Sequence, residues 1–140
     1  MQNNAMKLKL LFAGTALACL PLLAGAQQTV TKTVTKGNGK TKSKTYTTPS
    51  WGAAHQYTGD KYVYFPDYYT YYEPDRGYVY WNNGKWTTSS SVPSYMSSVD
   101  LNSARVQIIE DMSTRPETRY RTYMETYPAQ KVEVTVPMPR

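Results

Sequence analysis

Nine tyrosines fall between Tyr57 and Tyr80, in runs of one or two cut by turn signals at short intervals, and this spacing constrains the chain more than any other feature. Short β-favouring runs bounded by Pro, Gly, Asn and Asp read as an antiparallel meander. Lys61 to Phe65 makes a first strand, Pro66-Asp67 a corner and Tyr68 to Glu73 a second strand. Pro74-Asp75-Arg76-Gly77 is a turn in which Pro fixes φ and Gly permits a positive one. Tyr78 to Trp81 follows as a third strand. Asn83-Gly84 then has the composition of a two-residue type I′ turn, which returns the chain as a fourth strand over Lys85 to Ser90.

Alternation places Tyr68, Thr70 and Tyr72 on one face of the second strand and Tyr69 and Tyr71 on the other, with Val79 and Trp81 opposing Tyr78 and Tyr80. Both faces are therefore aromatic. The C-terminal third supplies covers. Ala104 to Ile109 alternates as a fifth strand, and Val132 to Val136 as a last one. Between them Thr114-Arg115-Pro116-Glu117 has capping-box spacing. It opens a helix whose Tyr120, Tyr123, Met124 and Tyr127 form one stripe, with Glu117 and Arg121 as an outward i,i+4 pair. The expected fold is α+β, mainly an antiparallel meander of about four to six short strands with one short C-terminal helix packed on one face. A helix of about 12 residues is ~18 Å long and ~10 Å wide, enough for one face of such a sheet. The uncovered face is then the candidate contact surface, assigned to Tyr69 and Tyr71 with Trp81 beside them. The competing expectation is that the Val132 to Val136 strand, the Ala104 to Ile108 strand or a second copy closes over that face.

The first 26 residues read as a secretory signal peptide. Lys7 and Lys9 precede an apolar run from Leu10 to Ala24, which ends in the small triplet Ala24-Gly25-Ala26 and places cleavage between Ala26 and Gln27. At roughly 15 residues the run is shorter than the ~20 of a spanning helix, so a retained anchor is the weaker reading. Cys19, the single cysteine, raises a lipoprotein alternative, against which Ala16 stands where a large aliphatic residue would be expected. The expected destination lies beyond the bacterial inner membrane, in the periplasm or at the outer surface. After cleavage the chain holds no cysteine, so packing must stabilise it.

The net charge of +6 is unevenly placed. Residues 27–50 hold Lys32, Lys36, Lys40, Lys42 and Lys44 with no acid, whereas residues 51–140 carry −1. The chain divides into a signal peptide (1–26), a Lys/Thr-rich flexible linker (27–50) and one tyrosine-rich domain (51–140). The linker has few large apolar residues to offset its ordering entropy, although Thr29 to Thr35 alternates as an edge strand would. Its lysines suit weak electrostatic contact with anionic lipids or polyanions. A nucleic-acid target is not expected of an exported chain without a basic folded face.

Residues for catalysis are scarce. His55, the single histidine, has no Cys, His or acidic neighbour at metal-ligand spacing, and Ser89-Ser90-Ser91 is a polar run without an activating pair. Asp67, Glu73 and Asp75 are acids on an aromatic sheet, the materials of glycoside cleavage, but Asp67 and Asp75 are accounted for by turns. No cofactor, metal or enzymatic activity is expected.

Tyr68-Tyr69, Tyr71-Tyr72-Glu73-Pro74, Gly77 to Trp81 and Asn83-Gly84-Lys85-Trp86, with Pro93 beyond, resemble small exported tyrosine-rich proteins of Gram-negative bacteria over residues 62–93. That resemblance implies export and no particular activity. The stretch is also similar to a WW domain, which implies a groove of Tyr78, Tyr80 and Trp86 for proline-rich peptides. Here Tyr64 stands in place of the first Trp. The function expected is a non-catalytic binding or structural module of the envelope, contacting an envelope protein or glycan, with a homo-oligomer as a further expectation. The alternative is carbohydrate binding through exposed sheet aromatics.

Overall fold

The computed structural model describes residues 28–131 and 136–140. The expected signal peptide with Cys19, the Ala26–Gln27 cleavage point and most of the expected Val132 to Val136 strand lie outside the described residues. The described chain is an α+β fold of two antiparallel sheets and one short helix. The larger sheet joins β3 (Tyr62–Phe65), β4 (Thr70–Glu73), β5 (Gly77–Asn82), β6 (Lys85–Ser89) and β7 (Gln107–Ile109) in the order β6-β5-β4-β3-β7. Asn83 and Gly84 have φ of 49° and 77°, the two positive values a type I′ turn requires. Gly77, at φ 78°, has no room for a side chain, because a Cβ there would lie 2.5 Å from the Ser89 carbonyl oxygen.

The second strand is shorter than the sequence suggests. Pro66–Tyr68 closes a 3-10 turn and Tyr69 takes a left-handed φ of 46°, so the ladder starts at Thr70. Register then fixes the faces. Val63 pairs with Tyr72 and Tyr72 with Tyr78, while Tyr64 pairs with Tyr71 and Tyr71 with Val79. Directly opposed residues share a face, so Val63, Phe65, Tyr72 and Tyr78 lie on one side and Tyr64, Tyr71, Val79 and Ile109 on the other.

Both sides are covered. Over the first lies Trp51, held in a 3-10 turn at Ser50–His55, with its ring stacked on Tyr57 at 5.5 Å and edge-on to Phe65 and Tyr72 at 5.2 and 5.3 Å. Met96 completes that core, and the chain from Val92 to Val106 lines it. Over the second side lies α1 (Tyr120–Thr126), which inserts Tyr123 against Tyr64 and Tyr71 with Tyr120 and Tyr127 beside it.

Two expectations change. The capping box does not form: Pro116–Arg119 is a 3-10 turn, Thr114 makes no cap, and Glu117 turns inward at 7 % exposure to pair with Arg76 instead of Arg121. The arginine of the β4–β5 turn offers a stronger, charge-assisted partner than an exposed i,i+4 pair. The flexible linker expected at 27–50 is a β-hairpin, with β1 (Gln28–Thr35) and β2 (Thr41–Thr48) paired along their full length. Its backbone bonds and cross-strand hydroxyl pairs supply the order that apolar burial does not. Thr48 at its base is buried over Gly59, and Lys32 forms an ion pair with Asp60 at 2.5 Å.

The tyrosine hydroxyls separate into used and unused ones. Trp51 Nε1 donates to the Tyr78 hydroxyl at 2.8 Å, whereas the buried Tyr64 and Tyr71 hydroxyls have no partner among the described residues. Removing an unpaired buried hydroxyl relieves a desolvation cost, while removing a used one strands its donor. Tyr64→Phe and Tyr71→Phe are therefore expected to be neutral or stabilising by up to about 1 kcal/mol, and Tyr78→Phe to cost about 1–2 kcal/mol, as read by urea midpoints.

Candidate functional site

The three aromatic residues assigned to a contact surface do not form one. Tyr71 is 1 % exposed, stacked on Tyr64 at 4.8 Å and enclosed by Tyr123 and Trp86 at 6.0 and 5.9 Å. It is interior. The count of available covers overlooked the irregular segments Ser50–His55 and Val92–Val106, so α1 did not have to leave a face open. Tyr69 is half-buried in the turn before β4, and Trp81 is half-buried edge-on against Trp86 at 5.5 Å. The groove implied by the WW resemblance is also split. Tyr78 and Tyr80 pack on the Trp51 side and Trp86 on the α1 side.

The sheet carboxylates are committed to arginines. Glu73, fully buried at the end of β4, accepts from Arg76 Nε and Nη2 at 2.6 Å each and from Arg115 Nη1 at 2.8 Å. Arg76 Nη2 also donates to Glu117, and Arg115 lies 3.5 Å from Asp75. Burial pushes the Glu73 carboxyl upward, Arg76 opposes the rise and the Glu117 carboxylate adds to it. At Glu117 burial acts upward too but is outweighed by the bonds to Glu73 and Arg76, so its carboxyl is held below the usual range. The cluster clamps the β4–β5 turn to the 3-10 turn before α1. Asp67 performs a second clamp: its Oδ1 accepts from Gln130 N at 2.7 Å and Arg105 Nη2 at 3.0 Å, and Arg105 Nη2 reaches the Pro128 carbonyl at 2.5 Å. The sequence reading gave Asp67 to a turn and missed this clamp, because its partners lie 38 and 63 residues away.

His55 Nε2 is hydrogen-bonded to the Leu101 carbonyl at 2.7 Å and its ring meets Trp51, a packing role. Among the described residues no group of three or more His, Cys, Asp or Glu side chains is placed to hold a metal ion, and no helix is long and apolar enough to cross a membrane. A cleft of about 370 Å³ opens beside Tyr68, Asp100, Ser103, Arg105 and Gln130. Several of its polar groups are already bonded, Asp100 accepting from Asn102 N at 3.0 Å and from Ser103 Oγ at 3.0 Å, and Arg105 and Gln130 N donating to Asp67.

The hairpin is the most highly charged exposed element. Lys36, Lys40, Lys42 and Lys44 are exposed, and none of the four forms an ion pair among the described residues; Lys44 lies 5.0 Å over the Tyr46 ring. Alternation in Lys42-Ser43-Lys44-Thr45 is the sequence signal that locates Lys42 and Lys44 on one face, Lys36 and Lys40 lying in the turn between the strands. Comparison with protein-family models, curated proteins and solved structures returns no match, so the chain's own geometry carries the functional argument.

For Asp67, burial would raise the carboxyl, but the Gln130 N–H and Arg105 hold it below the usual value. A depressed folded value contributes stability that is full above the unfolded value of about 3.9 and lost as pH falls through the folded one. Asp67→Asn is accordingly expected to cost about 1–3 kcal/mol at pH 7, and the gap from wild type should close below roughly pH 4. Urea midpoints measured across that range test the clamp.

Proposed function

We propose that this chain is a non-catalytic, exported module of the bacterial envelope, in which the aromatic sheet is the scaffold and the basic hairpin is the contact element. One contrast carries the reading. The sheet acids Asp67, Glu73 and Asp75 are each held by an arginine, whereas four lysines project from the hairpin with no anionic partner among the described residues. Carboxylates held in this way favour stability over proton transfer. Unpaired charge on an exposed ribbon instead favours recognition of an anionic surface or polymer. Export rests on the order Lys7, Lys9, apolar run and Ala24-Gly25-Ala26.

A carbohydrate reading draws support from a different place than the sheet face. The cleft beside Tyr68 combines an aromatic wall with Asp100, Arg105 and Gln130, a composition suited to a sugar ring with several hydroxyls. Photo-crosslinking in intact Gram-negative cells separates the readings. A photoreactive residue at Lys42 is expected to give adducts with an envelope component, and the recovered chain is expected to begin at Gln27. Adducts from Ser103 beside the cleft, with none from position 42, would favour the sugar reading. An unprocessed chain retained in the cytoplasm would contradict export.

A further inference from the structure

We infer that the free end of the hairpin docks on an anionic phospholipid surface through one face, that of Val34, Lys42 and Lys44, with Lys36 and Lys40 at its tip. This rests on the hairpin being the contact element and names its partner. The two-residue repeat sorts the ribbon's side chains by chemistry. Lys32 pairs with Lys44 and Val34 with Lys42, so these four share a face, whereas Thr31 with Thr45, Thr33 with Ser43 and Thr35 with Thr41 share the other. Those hydroxyls bond across the strands at 3.3, 3.2 and 3.4 Å. A ribbon whose lysines served only solubility would have no reason to confine them to one side.

The charge is concentrated toward the free end. Lys32 is neutralised by Asp60 at the docked base, leaving Lys36, Lys40, Lys42 and Lys44 within about 15 Å at the strand rise of ~3.3 Å per residue. Amid them Val34 is 55 % exposed, the most exposed large apolar side chain among the described residues. A soluble polyanion has no use for that valine. A bilayer has, since an apolar side chain enters the headgroup and acyl boundary while flanking ammoniums meet lipid phosphates.

The test uses processed protein recovered from the envelope, with vesicles of phosphatidylethanolamine containing about a third phosphatidylglycerol, matched vesicles of phosphatidylcholine alone, and polyphosphate as a lipid-free polyanion. Binding is expected to the anionic vesicles and not to the neutral ones, and to weaken at least tenfold between 50 and 200 mM salt. At roughly fivefold per lysine, the triple variant Lys36→Glu, Lys40→Glu, Lys42→Glu should lose at least a hundredfold. These side chains are exposed and form no ion pair among the described residues, so its circular dichroism and urea midpoint should match wild type. Val34→Ser should lose about three- to tenfold on vesicles and nothing on polyphosphate. Vesicle binding indifferent to Val34→Ser, or equal binding to neutral vesicles, would overturn the inference. Absent vesicle binding with adducts still formed from position 42 in cells would remove the lipid partner and leave the module reading standing; loss of both would remove the two together.

Discussion

The four residues of β4 are where the rest of the domain meets. This strand is central in the five-stranded sheet, and each of its side chains makes a different connection. Thr70 donates to the Tyr68 carbonyl at 2.7 Å and receives the Tyr95 hydroxyl at 2.5 Å, burial pushing that phenol up to about 12. Tyr71 points toward α1 and Tyr72 toward Trp51. Glu73 draws in Arg76 and Arg115. A strand this short holds both layers because its neighbours on either side carry aromatic rings at the opposing positions, where edge-on and offset-stacked pairs add to simple burial.

That arrangement decides where recognition can take place. Each ring that packs inward is lost as a binding surface, and Tyr71 at 1 % exposure is the clearest example. The acids follow the same course, since Glu73 and Asp67 hold distant segments together with arginines. The hairpin, with its one-sided lysines, is left outside this economy of contacts. It is anchored at its base by Thr48 over Gly59 and by the Lys32–Asp60 pair, and its far end extends free of both.

Local chemistry was legible in the sequence and long-range chemistry was not. Asn83-Gly84 and Pro74 to Gly77 specify their turns through φ alone, so β5 and β6 appear close to where the pattern puts them. Of the stripe Tyr120, Tyr123, Met124 and Tyr127, the three tyrosines dock as their spacing requires, while Met124 is not part of that cluster. Glu117 was misassigned because a capping box and an inward ion pair have the same local sequence, and the deciding partner, Arg76, lies 41 residues away. Trp51 and Met96 come from segments with no period to read, which is why the second cover went unseen. Composition argued against order in residues 27–50, yet a ribbon orders through backbone pairing that composition does not report.

Native-state hydrogen exchange tests the central claim most directly. If β4 is the keystone, its hydrogen-bonded amides should exchange only through global unfolding, with the same free energy as denaturant melting, while hairpin amides near Val34 and Lys42 exchange through local opening at lower free energy. Exchange from β4 at a free energy well below the global value, or hairpin amides as protected as those of β4, would contradict the account.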